Sequence, residues 1–420
     1  MKKSLSLWLL AALCSVAYAQ KTITVSVSNT MSVARADVPV VINLSPYGDV
    51  RSALVTSNGQ EIPCQLDDIN QDEAFDELCF LVDLDKKEQK QYTVALSATG
   101  EPRCYPARVF AEMVLGNSKD KTLKKNQQNN YIESITARGD AAYTYNIQHH
   151  HGVDFESELN GIRIYFDARQ TLDLYGKFNK QLELKETQFY TDADQKKRGY
   201  GDDVLWVGQT FGLGAFRGWD GQQPTLVQPV KTRTQRVVSY GPLRTIVEVI
   251  DRGWQLPPVS NDKLQTSNFK CQSSNVNMTL RYIQYAGHRD TDVEVLFNKD
   301  VSDYRFSTGI INVKGSEEFS DKKGLRACWG TDYPSTDTLN WKRETVGLAV
   351  LVPQKNIVSE EPANKDNYTY VLQVKGDRMS YKVTYTSANE SFGYHSAKEW
   401  FDYLKAWRKE VEQPVVVTIR

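Results

Sequence analysis

Residues 161–177 read GIRIYFDARQTLDLYGK, which predicts two short strands joined by a turn at residues 168–170. Successive side chains of a strand point to opposite faces. The apolar positions share one face: Ile162, Ile164, Phe166, Leu172 and Leu174. The polar positions share the other: Arg163, Tyr165, Asp167, Asp173, Tyr175 and Lys177. The stretch therefore predicts antiparallel strands with one face on a core and one polar face.

The same alternation recurs along most of the chain and predicts an all-β protein. Residues 22–27 read TITVSV, and similar short segments follow at 38–42, 61–66, 78–82 and 92–96. We expect an N-terminal β-sandwich over residues 20–103 and a larger β-supersandwich over residues 104–420. One helix is predicted near 396–411, because Ser396 and Glu399 have capping-box spacing ahead of Trp400, Leu404 and Trp407 on one helical face.

The first residues predict export. Lys2 and Lys3 precede an apolar run, and Ala17-Tyr18-Ala19 then supplies the small-residue spacing of a cleavage site, so residues 1–19 are predicted to be a signal peptide. We expect a periplasmic protein, because no later apolar run is long enough to insert into a membrane. The formal net charge is -1, without a basic block, which argues against a nucleic-acid partner.

Five cysteines follow the predicted signal peptide, and none of their spacings fits a zinc motif. Export permits disulfides. Cys64 and Cys79 fall on strands predicted to be neighbours, so a bridge between them is one possibility.

Three of the five histidines stand together at His149, His150 and His151. Histidine is the side chain whose ordinary pKa lies nearest neutrality, so this concentration marks a candidate site. If residues 143–151 form a strand, His149 and His151 point into a groove and His150 points away. Arg163, Tyr165 and Lys177 are then expected to meet them, and His288, in a distant YAGHR segment, is a further candidate.

These residue types allow three kinds of chemistry. In β-elimination on a uronic acid, Arg163 or Lys177 would neutralise the sugar carboxylate, His149 or His151 would act as the base, and Tyr165 would be the acid. In hydrolysis, Glu156 and Glu158 would form the carboxylate pair, with Asp154 and Asp167 in reserve. Zinc bound by His149, His151 and a carboxylate is a third possibility, but nothing fixes the remaining ligand, so no metal ligand is assigned and the cofactor is left unknown.

Three blocks of sequence carry a resemblance to a known family. They read HHHGVDFESELNGIRIYFDARQTLDLYGK, GYGDDVLWVGQTFGLGAFRGWDG and YGPLRTIVEV. Together they resemble the exported family called domain of unknown function 4861. The resemblance implies a glycan-degradation context. It also implies an architecture similar to exo-acting rhamnogalacturonan lyases and galactose-mutarotase-like proteins, which constrains function only at the level of fold.

We therefore expect a periplasmic carbohydrate-active protein, with a lyase acting on uronic-acid-containing oligosaccharides as the leading prediction. A glycoside hydrolase or mutarotase-like enzyme and a non-catalytic glycan-binding protein are the alternatives. The expected partner is an oligosaccharide or polysaccharide. The predicted catalytic residues are His149, His151, Tyr165, Glu156 and Glu158. The predicted substrate-binding residues are Arg163, Asp167, Asp173, Tyr175, Lys177 and His288. His151→Ala and Tyr165→Phe are each expected to lower turnover by about 10²–10⁴, whereas His150→Ala is expected to leave turnover within a few-fold.

Overall fold

The computed structural model describes residues 21–116, 130–256 and 275–420, and β-strands form most of its regular structure. The predicted signal peptide at 1–19 lies outside the described residues. No helix in the described ranges is both long and apolar enough to cross a membrane.

The N-terminal part is a β-sandwich, as predicted. Its strands are β1 (Lys21–Ser28), β2 (Arg35–Asn43), β3 (Ser52–Ser57), β4 (Gln60–Ile62), β5 (Cys64–Asp67), β6 (Glu77–Leu84) and β7 (Gln89–Ser97). One sheet has the order β1-β7-β3-β4 and is extended at β1 by the last strand of the chain, while the other has the order β2-β6-β5. Val25, Val40, Phe80 and Val94 lie in the apolar core of this sandwich and are fully or almost fully buried.

The remaining elements form the larger body and the chain end. The first of these strands are β8 (Val109–Glu112), β9 (Ser134–Arg138), β10 (Gly152–Ser157), β11 (Gly161–Tyr165), β12 (Leu172–Gly176), β13 (Asp202–Asp203), β14 (Arg217–Trp219), β15 (Pro224–Thr225), β16 (Thr232–Tyr240) and β17 (Arg244–Gln255). The others are β18 (Asn275–Tyr285), β19 (Asp290–Phe297), β20 (Phe306–Ile311), β21 (Glu317–Ser320), β22 (Leu325–Asp332), β23 (Glu344–Leu351), β24 (Ile357–Glu360), β25 (Asn367–Leu372), β26 (Arg378–Ser387) and β27 (Val416–Ile419). The helices are α1 (Leu184–Thr187), α2 (Ala193–Lys197) and α3 (Ala397–Glu412).

Three sheets of this body share one apolar core. The largest has the order β21-β22-β23-β26-β19-β18-β17-β16-β9, and two five-stranded sheets have the orders β13-β12-β11-β10-β8 and β15-β14-β20-β25-β24. Side chains from all three sheets enter the core, for example Phe155, Leu280 and Phe306. The predicted all-β fold with a large multi-sheet body is confirmed.

Helix α3 begins where the sequence predicted. The Ser396 hydroxyl accepts a hydrogen bond from the Glu399 backbone N–H, and the Glu399 carboxylate accepts one from the His395 N–H. Trp400, Leu404 and Trp407 are buried against β22 and β23. Burial of three large apolar side chains attaches the helix to the body.

The N-terminal sandwich is held to the rest of the chain by ion pairs and by strand pairing. Arg244 of β17 pairs with Asp67 and Glu77 of the sandwich, each at 2.7 Å. Strand β27 pairs with β1, with Ile419 opposite Val25, so the chain end returns to the N-terminal sheet. The division at residue 103 stays a prediction.

Cys64 and Cys79 are unpaired thiols, so the bridge considered from the sequence is absent. Their strands β5 and β6 are neighbours as expected, but Cys64 is opposite Phe80 and Cys79 is opposite Gln65. This one-residue offset puts the two side chains on opposite faces of the sheet. Cys64 packs in the sandwich core, and Cys79 packs against Ile246 and Ile283 of the body.

Candidate functional site

One row of charged residues crosses four neighbouring strands of the β13-β12-β11-β10-β8 sheet. Glu112 of β8 lies opposite Asp154 of β10, Asp154 lies opposite Arg163 of β11, and Arg163 lies opposite Asp173 of β12. All four side chains are buried. Buried ionisable groups are costly unless they are paired, so this row is the centre of the candidate site.

The opposite face of the same sheet is apolar, as the alternation predicted. It contributes Val153, Phe155, Ile162, Ile164, Leu172 and Leu174 to the body core. The alternation at residues 161–177 therefore separates a core face from a polar face.

Arg163 is the centre of a buried hydrogen-bond network. Its guanidinium donates to Asp173 Oδ2 at 2.7 Å and to Asp203 Oδ2 at 3.0 Å. It also donates to the hydroxyls of Tyr190 at 2.9 Å and Tyr165 at 3.2 Å. With these partners Arg163 uses nearly all of its five N–H donors.

An aromatic cluster formed by Tyr143, Tyr145, His151 and Tyr165 lies beside this network and reaches the surface. The His151 and Tyr165 rings stack with centroids 5.9 Å apart and planes at 10°. The Tyr145 ring packs edge-on against both, and Tyr143, whose side chain is 70% exposed, packs edge-on against Tyr145. The guanidinium of Arg169 lies over Tyr165 at 4.5 Å and over Tyr145 at 5.3 Å. Such an arrangement offers apolar ring faces next to a cation.

The prediction that residues 143–151 form a strand was wrong. Residues Thr144–Ile147 form a turn of 3₁₀ helix, and His151 has a left-handed backbone with φ 72°. The next residue, Gly152, packs so tightly against β11 that a Cβ would lie 1.7 Å from the Ile164 carbonyl oxygen. Strand parity therefore does not apply, because the histidines precede β10 instead of lying in it.

The three histidines consequently have three different surroundings. The His149 ring packs edge-on against Tyr190, with centroids 6.1 Å apart, and the His151 ring is half-buried in the aromatic cluster. His150, predicted to point away from the site, is completely buried, with Nε2 3.2 Å from Oδ2 of Asp154. Burial, together with the charge of Arg163, lowers the pKa of His150 to about 3 and also lowers the pKa of His151.

Glu112, His150 and Asp154 form a buried triad, and one potential ligand atom from each lies within 4.8 Å of the others. Burial raises the pKa of both carboxyl groups well above the ordinary range. The charge of Asp154 raises the pKa of Glu112 further, and the charge of Glu156 raises the pKa of Asp154 further. The hydroxyl of Tyr131, a partly exposed residue, lies beside Glu112. This triad is the group of side chains in the described residues that fits a metal ion. It uses His150 where the sequence suggested His149 and His151.

Lys177 does not meet the histidines. It forms a fully buried ion pair with Glu156. Glu156 also accepts hydrogen bonds from the backbone N–H groups of Glu183, at 2.8 and 2.9 Å, and Leu184, at 2.8 Å, at the start of α1. Burial raises the pKa of Glu156, and Lys177 opposes that shift. This pair attaches the α1 segment to the sheet.

Glu158 and His288 lie at the junction with the N-terminal sandwich, away from the aromatic cluster. Arg108 bonds to Glu158 at 2.5 Å and to Asp37 at 2.6 Å. Nε2 of His288 lies 2.8 Å from the Asp37 carbonyl oxygen, and Nδ1 lies 3.2 Å from Asp290 Oδ1. Glu156 and Glu158 do not form the carboxylate pair considered for hydrolysis, because Glu158 follows the end of β10 and joins this junction.

The two remaining predicted residues have structural partners. The Asp167 carboxylate accepts two hydrogen bonds from the Arg169 guanidinium, at 2.6 and 2.8 Å, which places Asp167 at the edge of the aromatic cluster. The Tyr175 hydroxyl bonds to the Gly201 carbonyl oxygen at 2.9 Å, and its ring packs on Phe189 in a small apolar cluster. Tyr175 is therefore a buried packing residue and is not available to a ligand at the surface.

Sequence reasoning missed several residues of this site: Glu112, Tyr131, Tyr145, Arg169, Tyr190 and Asp203. Arg169 falls in the turn predicted at residues 168–170, where alternation assigns no face. Glu112, Tyr190 and Asp203 lie dozens of residues from Arg163 or Asp154 along the chain, and only strand pairing and the α1 segment bring them close. The sequence did contain a signal for Asp203, because this residue lies in the GYGDDVLW block, which is part of the resemblance to the family.

Comparisons with known proteins agree with this fold. The family model described as Domain of unknown function (DUF4861) matches residues 27–417. A search of curated proteins finds no match. A solved protein of glycosyl hydrolase family 38 from Enterococcus faecalis is similar with a TM-score of 0.50 and 9% identity, over 95% of this chain and 47% of that one. An α-mannosidase from Enterococcus faecalis V583 gives a TM-score of 0.49 and 10% identity, over 95% and 46%. The chain thus spans about half the length of these structures, and the likeness concerns the fold.

Proposed function

The chain belongs to the DUF4861 family, and we propose that it is an exported carbohydrate-active enzyme whose site is the aromatic cluster beside the Arg163 network. The observation that carries the proposal is the stack of His151 on Tyr165, continued to the surface by Tyr145 and Tyr143 and flanked by Arg169. Tyrosine rings combine an apolar face with a polar edge, as a sugar ring does. The likeness in fold to a glycosyl hydrolase supports a carbohydrate ligand.

We assign the reaction as β-elimination in an oligosaccharide that contains uronic acid. A base removes the proton beside the sugar carboxylate, the bond to the leaving oxygen breaks, a carbon–carbon double bond forms, and the leaving oxygen takes up a proton. The reaction needs a cation at the carboxylate, a base and a proton donor, and the aromatic cluster contains a candidate for each.

The cation is Arg169 in this proposal, in place of Arg163. Arg163 is only 4% exposed and is balanced by Asp173 and Asp203. Arg169 donates through Nε and Nη2 to Asp167 and through Nη1 to the Gly208 carbonyl oxygen. A guanidinium has five N–H donors, so two remain for a substrate carboxylate.

His151 is the proposed base. Its Nδ1 lies 3.3 Å from the Tyr145 carbonyl oxygen. A carbonyl oxygen can only accept, so Nδ1 carries the proton of the neutral ring and Nε2 is the basic nitrogen. The stack on Tyr165 and the contact with the Tyr145 carbonyl fix the orientation of the ring.

Tyr145 is the proposed proton donor. The hydroxyl of Tyr165, the donor expected from the sequence, donates to Asp173 Oδ2 at 3.3 Å and accepts from Arg163, so its proton is directed into the sheet face. Tyr145 is half-buried, and its ring centroid lies 5.4 Å from that of His151. We assign Tyr165 the role of a positioning residue that holds Arg163 and Asp173.

Elimination is favoured over hydrolysis by the positions of the carboxylates. Hydrolysis needs two carboxyl groups on either side of the scissile bond. Glu156 is completely buried with Lys177, and Glu158 is paired with Arg108 at the junction with the N-terminal sandwich. Neither faces the aromatic cluster.

The test is incubation of the full-length protein with pectic, ulvan-like and glycosaminoglycan oligosaccharides, followed by ultraviolet absorbance and reducing-end assays. The proposal expects new absorbance from the conjugated double bond of an unsaturated uronic acid. New reducing ends without that absorbance would mean hydrolysis, and affinity without turnover would mean a binding protein. Either result would overturn the assigned reaction.

Export is part of the same proposal and is supported by residues 1–19, with their charged, apolar and small-residue sections. Expression in a Gram-negative host, followed by cell fractionation and N-terminal sequencing, tests it. We expect periplasmic protein that begins at Gln20. Recovery of the full-length chain in the cytoplasm would contradict the prediction.

A further inference from the structure

We infer that Glu112, His150 and Asp154 form a binding site for one divalent transition-metal ion, with zinc as the best-fitting ion. The inference does not depend on the proposed reaction. Glu112 comes from β8, Asp154 comes from the directly opposite position of β10, and His150 precedes β10 by two residues. Three separate backbone positions thus converge on one point, with Nε2 of His150 3.2 Å from Oδ2 of Asp154.

The polar atoms of His150 and Asp154 are buried without the hydrogen bonds that such atoms require. The three side chains are at most 1% exposed. Although His150 Nε2 and Asp154 Oδ2 are close, their orientation is not that of a hydrogen bond, and neither ring nitrogen of His150 nor either carboxylate oxygen of Asp154 makes one within the described residues. A buried polar group without a hydrogen-bond partner destabilises the folded state, so an arrangement with several such groups implies a further partner.

The charge arrangement indicates that this partner is a cation. Two carboxyl groups directly opposite each other in a sheet repel when both are ionised. Arg163, the nearest guanidinium in the row, is already engaged with Asp173 and Asp203. A dication between Glu112 and Asp154 would remove their repulsion and would use the lone pairs of the imidazole and both carboxylates.

The donor set selects the kind of ion. Calcium and magnesium are bound mainly by oxygen ligands, six or more for calcium, whereas an imidazole nitrogen favours zinc and related transition metals. Zinc is commonly held by three protein ligands with a fourth position for water. Two ligands about 2.0–2.1 Å from a tetrahedral zinc ion lie roughly 3.3 Å apart. The His150–Asp154 distance of 3.2 Å fits that spacing, and the 4.8 Å limit for the triad requires only small side-chain movements.

The ion would also fix the segment that carries the other two histidines. His149 and His151 are neighbours of His150 in the chain, and His151 has the uncommon φ of 72°. A left-handed backbone at a non-glycine residue costs free energy and persists only when surrounding contacts enforce it. Coordination of His150 to a sheet-bound ion would supply such a contact directly beside the aromatic cluster.

Metal analysis of the full-length protein, purified without a polyhistidine tag, tests the inference. We expect about one zinc per chain by elemental analysis after incubation with zinc and dialysis. A chelator should lower the thermal unfolding midpoint, and added zinc should restore it, because a ligand that binds only the native state stabilises it. His150→Gln and Asp154→Asn should each lose zinc and the response to the chelator, whereas His395→Gln, a change at an exposed histidine outside the triad, should behave like wild type.

The inference is overturned if the wild-type protein retains no zinc and shows no zinc-dependent change in its unfolding midpoint. Retention of stoichiometric zinc by folded His150→Gln or Asp154→Asn would also overturn it. If one of these variants does not fold, the other and Glu112→Gln test the ligand assignment. None of these measurements uses enzymatic activity, so failure of the elimination assay leaves this test unaffected.

Discussion

Nε2 of His150 lies 3.2 Å from Oδ2 of Asp154, and neither side chain is exposed to solvent. This contact places the middle histidine of the HHH run inside the protein, while His149 packs on Tyr190 and His151 packs on Tyr165. The three consecutive histidines therefore have different structural roles. His150 holds the segment against the sheet, and His151 takes part in the aromatic cluster.

His150→Ala is expected to destabilise the protein by about 2–4 kcal/mol, although strand parity predicted only a small effect of this substitution on turnover. The substitution opens a cavity and leaves the buried carboxyl groups of Asp154 and Glu112 without the imidazole. The measurement is the free energy of unfolding in guanidinium chloride of His150→Ala, compared with that of His149→Ala at the half-buried neighbouring position. Equal stability of the two variants would show that burial of His150 is unimportant.

Lys177→Met is expected to cost about 3–5 kcal/mol of stability, because it leaves the Glu156 carboxylate buried without its cation. The double variant Lys177→Met/Glu156→Gln should recover part of that loss, since it removes the unpaired charge. Both are measured by denaturant unfolding at neutral pH. A stable Lys177→Met variant with lost turnover would instead assign Lys177 to the chemistry.

Tyr143→Ala is expected to raise KM or Kd for the oligosaccharide about 5–10-fold and to leave kcat within about twofold. The exposed Tyr143 ring contributes a stacking surface worth about 1 kcal/mol, and it contacts the proposed proton donor Tyr145 only edge-on, with ring centroids 6.4 Å apart. Tyr143→Phe keeps the ring and should resemble wild type. A large loss of kcat in Tyr143→Ala would require a more central role for this residue.

The junction with the N-terminal sandwich should weaken as the pH rises past neutrality. Burial by itself lowers the pKa of His288, but the hydrogen bond and charge of Asp290 and the Asp37 carbonyl outweigh it, and the pKa is raised. Both ring nitrogens face acceptors, which only the protonated ring can satisfy.

The stabilisation from His288 is therefore complete below its unfolded-state pKa of about 6.5 and is lost as the pH rises through the higher folded-state pKa. His288→Gln should lower the free energy of unfolding by about 1 kcal/mol in mildly acidic buffer and by less above neutrality. The measurement is the free energy of unfolding of the wild-type protein and of His288→Gln, recorded at several pH values from mildly acidic to above neutrality. A difference that grows with pH would contradict the assigned ionisation.

Local patterns accounted for much of the fold. Alternation at residues 161–177 correctly separated Arg163 and Asp173 from the core residues Ile162 and Leu174. The capping residue Ser396 and the spacing of Trp400, Leu404 and Trp407 located α3, because these signals depend on residues within one helix.

Features that depend on contacts between residues far apart in the chain could not be predicted from local sequence patterns. The one-residue offset between β5 and β6 that separates Cys64 from Cys79 depends on strand register. Strand β10 begins at Gly152, which packs against Ile164, and the three histidines lie before it. Alternation along an assumed strand therefore predicted the wrong direction for His150. Glu112 joined the site only through its pairing with Asp154.

The most direct test of the proposed site is the rate of unsaturated-product formation by His151→Ala and His395→Ala. Both remove one imidazole, but His151 lies in the aromatic cluster, whereas His395 is exposed beside the start of α3. We predict that His151→Ala lowers turnover by about 10²–10⁴, the scale for loss of a general base, and that His395→Ala stays within a few-fold of wild type. Wild-type turnover by a folded His151→Ala variant would contradict the account.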